Sequence, residues 1–339
     1  MARLIDKLVG HRDTLEPLLK AHAQTKLAST LLFTGASGIG KRLAAQALAQ
    51  TLVCEKVEDG GTRACGQCGP CVRVEKEQSE SVIFVQPDGA SVKIEQARDI
   101  LQFISLQKIG RARVVIVDQA HLMNPQAANA LLKSLEEPPA GTHFILITWN
   151  APAVLPTIRS RSQLVRFRPL AKAELKKILE TELGAKADEW LLEGAHGSVE
   201  TAQRLTESRD DYLELEEATA SYLSRGRHQF PGEEINRLRE LTKDKSAQAF
   251  FSSLVQSVLR DSLRLQAGLE ASSTRGEPWL SISSAMFGIS PRGLSHLAEQ
   301  ALTMENDMAR NVDRGLILEN FAIEWRKAGQ WDGSTSTRI

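Results

Sequence analysis

The chain has 339 residues, 42% of them apolar, with 42 basic and 42 acidic side chains. That length suits two or three domains, the apolar content is enough for buried cores, and zero net charge excludes a uniformly basic DNA-coating protein. The balance hides an asymmetry: residues 1–170 carry six more basic than acidic side chains and residues 171–339 six fewer, which points to different tasks for the two halves.

The N-terminal segment MARLIDKLVGHRD interleaves charges with apolar residues, so no signal-peptide core is expected. No apolar stretch approaches the roughly 18–20 residues that cross a bilayer. The expectation is a cytoplasmic protein with no membrane partner. Leu31-Leu32-Phe33-Thr34 reads as a first short strand. Gly35-Ala36-Ser37-Gly38-Ile39-Gly40-Lys41 follows it and opens an Ala/Leu/Gln-rich helix over Lys41–Leu52. Strand, glycine-rich loop and helix are the setting of a phosphate loop: Gly35, Gly38 and Gly40 let backbone amides wrap an anion, and Lys41 reaches the outer phosphates. A plain Gly-rich turn is the other reading. A magnesium-binding loop has Ser or Thr after the lysine; here it is Arg42, which carries only donors and ligates no cation.

All four cysteines follow, as C-x10-C-x2-C-x2-C at Cys54, Cys65, Cys68 and Cys71. Four thiolates at this spacing, with tight turns at Gly66, Gly69 and Pro70, describe a closed structural Zn²⁺ site over about 54–71, with an iron–sulfur centre as the alternative. Glu55, Glu58, Asp59, Glu75, Glu77 and Glu80 surround it, an acidity that argues against DNA contact by the module. Val82–Val85 is a second strand, and Ile94, Ala97, Ile100, Leu101 and Ile104 recur at helical spacing. Val114–Asp118 is a third strand. Asp118 at its end suits water-mediated Mg²⁺ binding, or the capping of a turn. The next residue is Gln119, an amide where a hydrolytic site would place a carboxylate base. A helix through Ala127, Ala130, Leu131 and Leu135 stops at Pro138-Pro139, and Phe144–Thr148 is a fourth strand. Residues 151–170 hold Arg159, Arg161, Arg166 and Arg168 with no acidic residue, and Leu164–Phe167 is a fifth strand. The arginines read as a solvated basic edge or, for Arg161, as a finger offered to a neighbour's ATP. Near-continuous β-branched strands alternating with helices give an α/β fold with a parallel sheet. After Pro169 the strand signal disappears. Helical patterns fill 170–207, with a break at Gly194–Gly197, and 208–329, with breaks at Arg225–Gly232 and Ser272–Pro278. The Ser/Thr-rich tail over 333–339 is expected to fray.

These residues resemble bacterial clamp-loader subunits of the AAA+ class, which serve DNA polymerase III. The resemblance is carried by Gly35–Lys41, the cysteine insert, Asp118-Gln119-Ala120-His121, the run Ala127–Pro139 (AANALLKSLEEPP), Phe144–Thr148 and Thr157-Ile158-Arg159-Ser160-Arg161-Ser162. It is dense over residues 31–169, with echoes at Gly197-Ser198 and from Asn311 to Phe321. Ser162 departs from the family's Ser-Arg-Cys. The resemblance implies an AAA+ P-loop domain over 1–169, a helical lid over 170–207 and an all-α collar over 208–339, in a ring of five subunits. Leu316, Leu318 and Phe321 would then belong to a collar stripe buried against neighbours. The implied partners are motor (gamma/tau) and delta subunits, with a sliding clamp and primer–template DNA reached through the complex. The family contains ATP-hydrolysing motors and a non-motor subunit. Arg42, Gln119 and Glu200, which falls where motors carry a sensor-2 arginine, align this chain with the non-motor kind. Its own loop, built from Gly35, Gly38, Gly40, Lys41 and Asp118, is then a degenerate nucleotide site in which ATP is not turned over. Arg161 acts in trans. The alternative is a gamma/tau-like motor.

Overall fold

The computed structural model describes residues 3–272, 276–286, 288–310 and 312–328. Asn311 and the tail over 333–339 lie outside the described residues. The chain forms two compact units, Met1–Lys186 with His196–Glu200, and Ala187–Ala195 with Thr201–Ile339.

The first unit is built on a five-stranded, all-parallel sheet in the order β2-β3-β4-β1-β5. The strands are β1 (Thr30–Thr34), β2 (Val82–Val85), β3 (Arg113–Val117), β4 (Thr142–Thr148) and β5 (Gln163–Arg166). This is the expected α/β fold with a parallel sheet and a cysteine insert, and each strand lies where the apolar runs placed it, within two residues. Inner strands are apolar on both faces, and alternation divides them between two cores. Leu31, Phe33, Val114, Ile116, Ile145 and Ile147 face one core, shared with the helices Arg12–Ala23 and Lys41–Val53. Leu32, Val115, Val117, Phe144 and Leu146 face the other, shared with the helices Ile94–Ser105 and Pro125–Glu136. The latter starts on a proline, is capped by the Asn124 side chain accepting from Ala127 N, and ends just before Pro138-Pro139. β5 is an edge strand in which Val165 alone is buried. In register, Thr34 of β1 sits beside Thr148 of β4 and Arg166 of β5. The carboxyl ends of these strands therefore open at one edge, where parallel sheets carry their sites.

Among the described residues the second unit contains helices and no strand. Its helices break between Gly226 and Gly232 and between Gln266 and Trp279, where the sequence suggested. Tyr222 and Trp325 are fully buried, and each satisfies its polar atom on a backbone carbonyl: Tyr222 Oη donates to Leu318 O at 2.7 Å and Trp325 Nε1 to Leu223 O at 3.0 Å. One expectation is corrected here. Leu318 and Phe321 are buried inside this unit's own core, and only Leu316, 52% exposed, is left on the surface. The stripe read as an interface is mostly the unit's own packing face.

Candidate functional site: a closed phosphate loop, a cysteine cluster and an arginine turn

The loop after β1 runs Gly35–Gly40 into the helix Lys41–Val53. Gly40 takes φ +99° at the helix start and Gly38 takes φ +68°, a region glycine enters freely. At Gly38 space is also decisive: a Cβ there would lie 2.4 Å from Glu200 Cβ and 2.5 Å from Ser198 Oγ. The chain at 197–200 thus lies directly on the loop. Val199 N donates to Gly38 O at 2.9 Å, Ser37 Oγ donates to Glu200 Oε2 at 2.7 Å, and Leu170 N holds Gly197 O at 3.1 Å. Glu200, which the resemblance sets at the sensor-2 position, stands against the glycine-rich loop itself.

Lys41 is 6% exposed, and its ammonium donates to Gly35 O at 2.7 Å and to Ala36 O. Burial draws its pKa down to about 8, against the opposing pull of the Asp118 and Glu200 carboxylates. Arg42 turns away from the loop: Nη2 reaches both carboxylate oxygens of Glu77, at 2.9 and 3.0 Å, and the guanidinium lies 5.8 Å from the Phe84 ring centre. Asp118 Oδ1 accepts from Gln119 N at 2.8 Å, and Gln119 sits in the left-handed region at φ 49°. Asp118 therefore caps a strand-end turn while staying within electrostatic reach of Lys41. His121 Nδ1 pairs with Thr148 Oγ1 at 3.0 Å, joining the ends of β3 and β4. Behind the loop, fully buried His11 places Nε2 2.6 Å from Ile39 O and packs edge-on to Phe167. Sequence reasoning missed this buttress, because a single histidine before a helix carries no local signal.

The four cysteine sulfurs lie within 4.8 Å of one another, with Cys65–Cys71 and Cys54–Cys68 at 4.0 Å. A tetrahedral ion with Zn–S bonds of about 2.3 Å sets its sulfurs about 3.8 Å apart, so the set fits one metal. Cys54 and Cys71 are fully buried, Cys65 is nearly so and Cys68 is half-buried. Backbone amides point at the sulfurs: Cys65 N to Cys54 Sγ at 3.3 Å, and Cys68 N and Gln67 N to Cys65 Sγ at 3.3 and 3.5 Å. Burial would raise the Cys65 pKa, but these donors, chiefly Gln67 N and Cys68 N, outweigh it and bring the thiol to about 7. Four sulfur donors would close the coordination shell of such an ion and leave no position for a substrate. Gln50 ties the insert to the unit, donating to Cys71 O at 3.1 Å and accepting from Leu4 N at 3.0 Å, while Arg111 Nη1 holds Cys54 O at 3.1 Å.

The arginine-rich segment is partly neutralised. Arg168 makes a two-pronged contact with Glu174 at 2.7 and 2.9 Å. Arg161, exposed in the turn before β5, donates through Nε to Glu136 Oε2 at 2.9 Å and through Nη1 to Thr157 O at 3.1 Å.

Residues 10–171, which include the loop, the four cysteines and Arg161, match the family described as DNA polymerase III, delta subunit. The chain is 37% identical over 184 residues to DNA polymerase III subunit delta' of Pseudomonas aeruginosa, covering 52% of this chain and 56% of that one. It is 31% identical over 251 residues to subunit delta' of Bacillus subtilis, covering 72% and 74%. It is 29% identical over 313 residues to subunit tau of Escherichia coli, covering 89% of this chain and 45% of that one. The matched stretch thus spans about half the length of the Pseudomonas and Escherichia relatives.

Proposed function

Because the chain belongs to the family of DNA polymerase III clamp-loader subunits, we propose that it serves there as the non-motor member, delta-prime, and that it completes a neighbour's ATP site with Arg161. The observation that carries this reading is the closed phosphate loop. Ser37 and Gly38 are bonded to the 198–200 segment, Lys41 is spent on the loop's own carbonyls, and Arg42 is drawn off to Glu77. Two parts of a hydrolytic site are replaced as well: Arg42 stands at the Mg²⁺-binding hydroxyl position, and Gln119 at the base position.

In this reading residues 170–207 act as a lid and 208–339 as a collar that joins motor (gamma/tau) and delta subunits in a cytoplasmic ring. ATP binding at the motor subunits opens a sliding clamp and sets it on primed DNA, and hydrolysis releases it. Arg161 supplies positive charge to the phosphoryl group transferred in the adjacent site, where such a group can be worth ~10³–10⁵ in turnover. The cysteine cluster would hold Zn²⁺, which supplies a cross-link for an insert too small to fold on a core of its own. The residues present fit that ion in number, type and spacing.

The motor reading has its own support in the alignment to tau over 89% of this chain, and one experiment separates the two. ATP turnover and binding are measured for the purified chain alone and in complex with an ATP-competent gamma/tau-type chain. The expected result is no turnover alone, and a large loss of DNA-stimulated turnover in the complex when Arg161→Ala is introduced, with assembly intact. Turnover by the isolated chain comparable to that of the complex would establish the motor reading instead.

A further inference from the structure

The arginine assigned above to a neighbour's phosphate is not a loose side chain. Its guanidinium is held on two sides by its own unit, through Glu136 Oε2 on Nε and Thr157 O on Nη1. A guanidinium has five N–H donors in a rigid fork, so about three remain for an incoming oxyanion, and Nη2 makes no hydrogen bond among the described residues. Both anchors stand on fixed elements. Glu136 is the last residue of the helix Pro125–Glu136, whose Ala127, Ala128, Leu131 and Leu135 are buried in the core. One residue earlier, Leu135 O accepts from Thr30 Oγ1 at 3.0 Å, a bond from buried β1 that pins the helix end to the sheet. Thr157 lies in the short helix Pro156–Arg159, whose Ile158 is buried and accepts Ser162 Oγ at 2.8 Å through its carbonyl. The pair itself is open to solvent, with side chains 33% and 56% exposed, so it adds little stability. A solvent-exposed ion pair between two rigid elements instead restricts where a long side chain points.

Resting on the reading of Arg161 as a trans-acting finger, we propose that Glu136 is its positioning residue. It fixes the Nε edge of the guanidinium so that Nη2 is presented to the neighbour's phosphate in one orientation. The carboxylate touches no substrate. Its contribution is orientation, and misplacing a reacting group by about 1 Å can cost ~10²-fold.

The test uses the assembled complex with an ATP-competent gamma/tau-type chain, ATP and primed DNA, and compares Glu136→Ala, Glu136→Gln, Arg161→Ala and the Glu136→Ala/Arg161→Ala double variant. The expected result is an approximately 10-fold lower kcat for Glu136→Ala with KM for ATP unchanged. Glu136→Gln, which keeps an oxygen for Nε, restores most of it. In the Arg161→Ala background, Glu136→Ala has no further effect, because there is nothing left to position. Full activity of Glu136→Ala, or an equal loss with and without Arg161, overturns the positioning role while leaving the finger standing. An Arg161→Ala complex whose turnover is unchanged overturns the finger reading and this role with it.

Discussion

Lys41 offers a quantitative test of how the phosphate loop is built. Its pKa is depressed from 10.5 to about 8, chiefly by burial. At about 1.4 kcal/mol per unit, keeping this ammonium charged in the folded state costs roughly 3 kcal/mol. Replacing it by methionine, of similar length and uncharged, removes that cost. It also removes a donor from Gly35 O and Ala36 O, a loss of about 1 kcal/mol at each carbonyl. At pH 7 Lys41→Met is therefore expected to stabilise the first unit by about 1 kcal/mol. The sign then reverses with pH. The folded pKa lies below the unfolded one, so wild-type stability rises between about pH 8 and 10.5 as the native lysine sheds its proton first. Near pH 9.5 the wild type has recovered about 2 kcal/mol of the cost, and the variant is the less stable by about 1 kcal/mol. Urea unfolding, read by hydrogen exchange of amides in β1 and the helix Lys41–Val53, reports on this unit alone. A stability difference that stays constant from pH 7 to pH 9.5, or that shifts toward the variant, is incompatible with a buried ammonium at Lys41 whose pKa is lowered by folding.

Two further outcomes follow from the same unit. Elemental analysis is expected to find one metal per chain, lost in Cys71→Ser or after strong chelation, with faster amide exchange confined mainly to residues 54–75; a wild-type chain with four titratable thiols and no metal contradicts this. His143 and His22, whose rings lie 6.5 Å apart, both have pKa values lowered by burial, as does His11. Their native states are neutral while unfolded histidines charge below about 6.5, so stability is fully present above that pH and declines as pH falls toward the lowered native values. The urea midpoint of the first unit should drop between pH 7.5 and 5.5, less so in His143→Gln, and an identical drop in both proteins would count against these histidines.

The fold was largely legible because its signals are local. Each inner strand is a short apolar run bounded by turn residues, and the helix Pro125–Glu136 announces both its cap and its stop. The cysteine cluster was legible for the same reason: its four cysteines fall within eighteen consecutive residues, Cys54 to Cys71. What could not be read was how distant side chains answer one another. Glu77 on Arg42, Glu200 on Ser37, Glu136 on Arg161 and His11 on Ile39 are pairings across the fold, and no periodicity encodes them. The Leu318–Phe321 stripe failed for the complementary reason. An apolar helix face states that it will be covered, not by what, and here neighbouring helices of the same unit cover it.

The strand order also sets a schedule for synthesis. β1 pairs with β4 and β5, and its nearest partner residue for Thr30 is Phe144. At ~5–20 residues per second, the roughly 110 residues between them occupy a ribosome for on the order of 5–20 s. In that interval β2 and β3, which pair with each other, have already been synthesised, as have the helices Lys41–Val53, Ile94–Ser105 and Pro125–Glu136. β1, the oldest strand, therefore waits longest for its neighbours. A chain ending near residue 140 would carry an apolar β1 with neither of its neighbours, β4 nor β5.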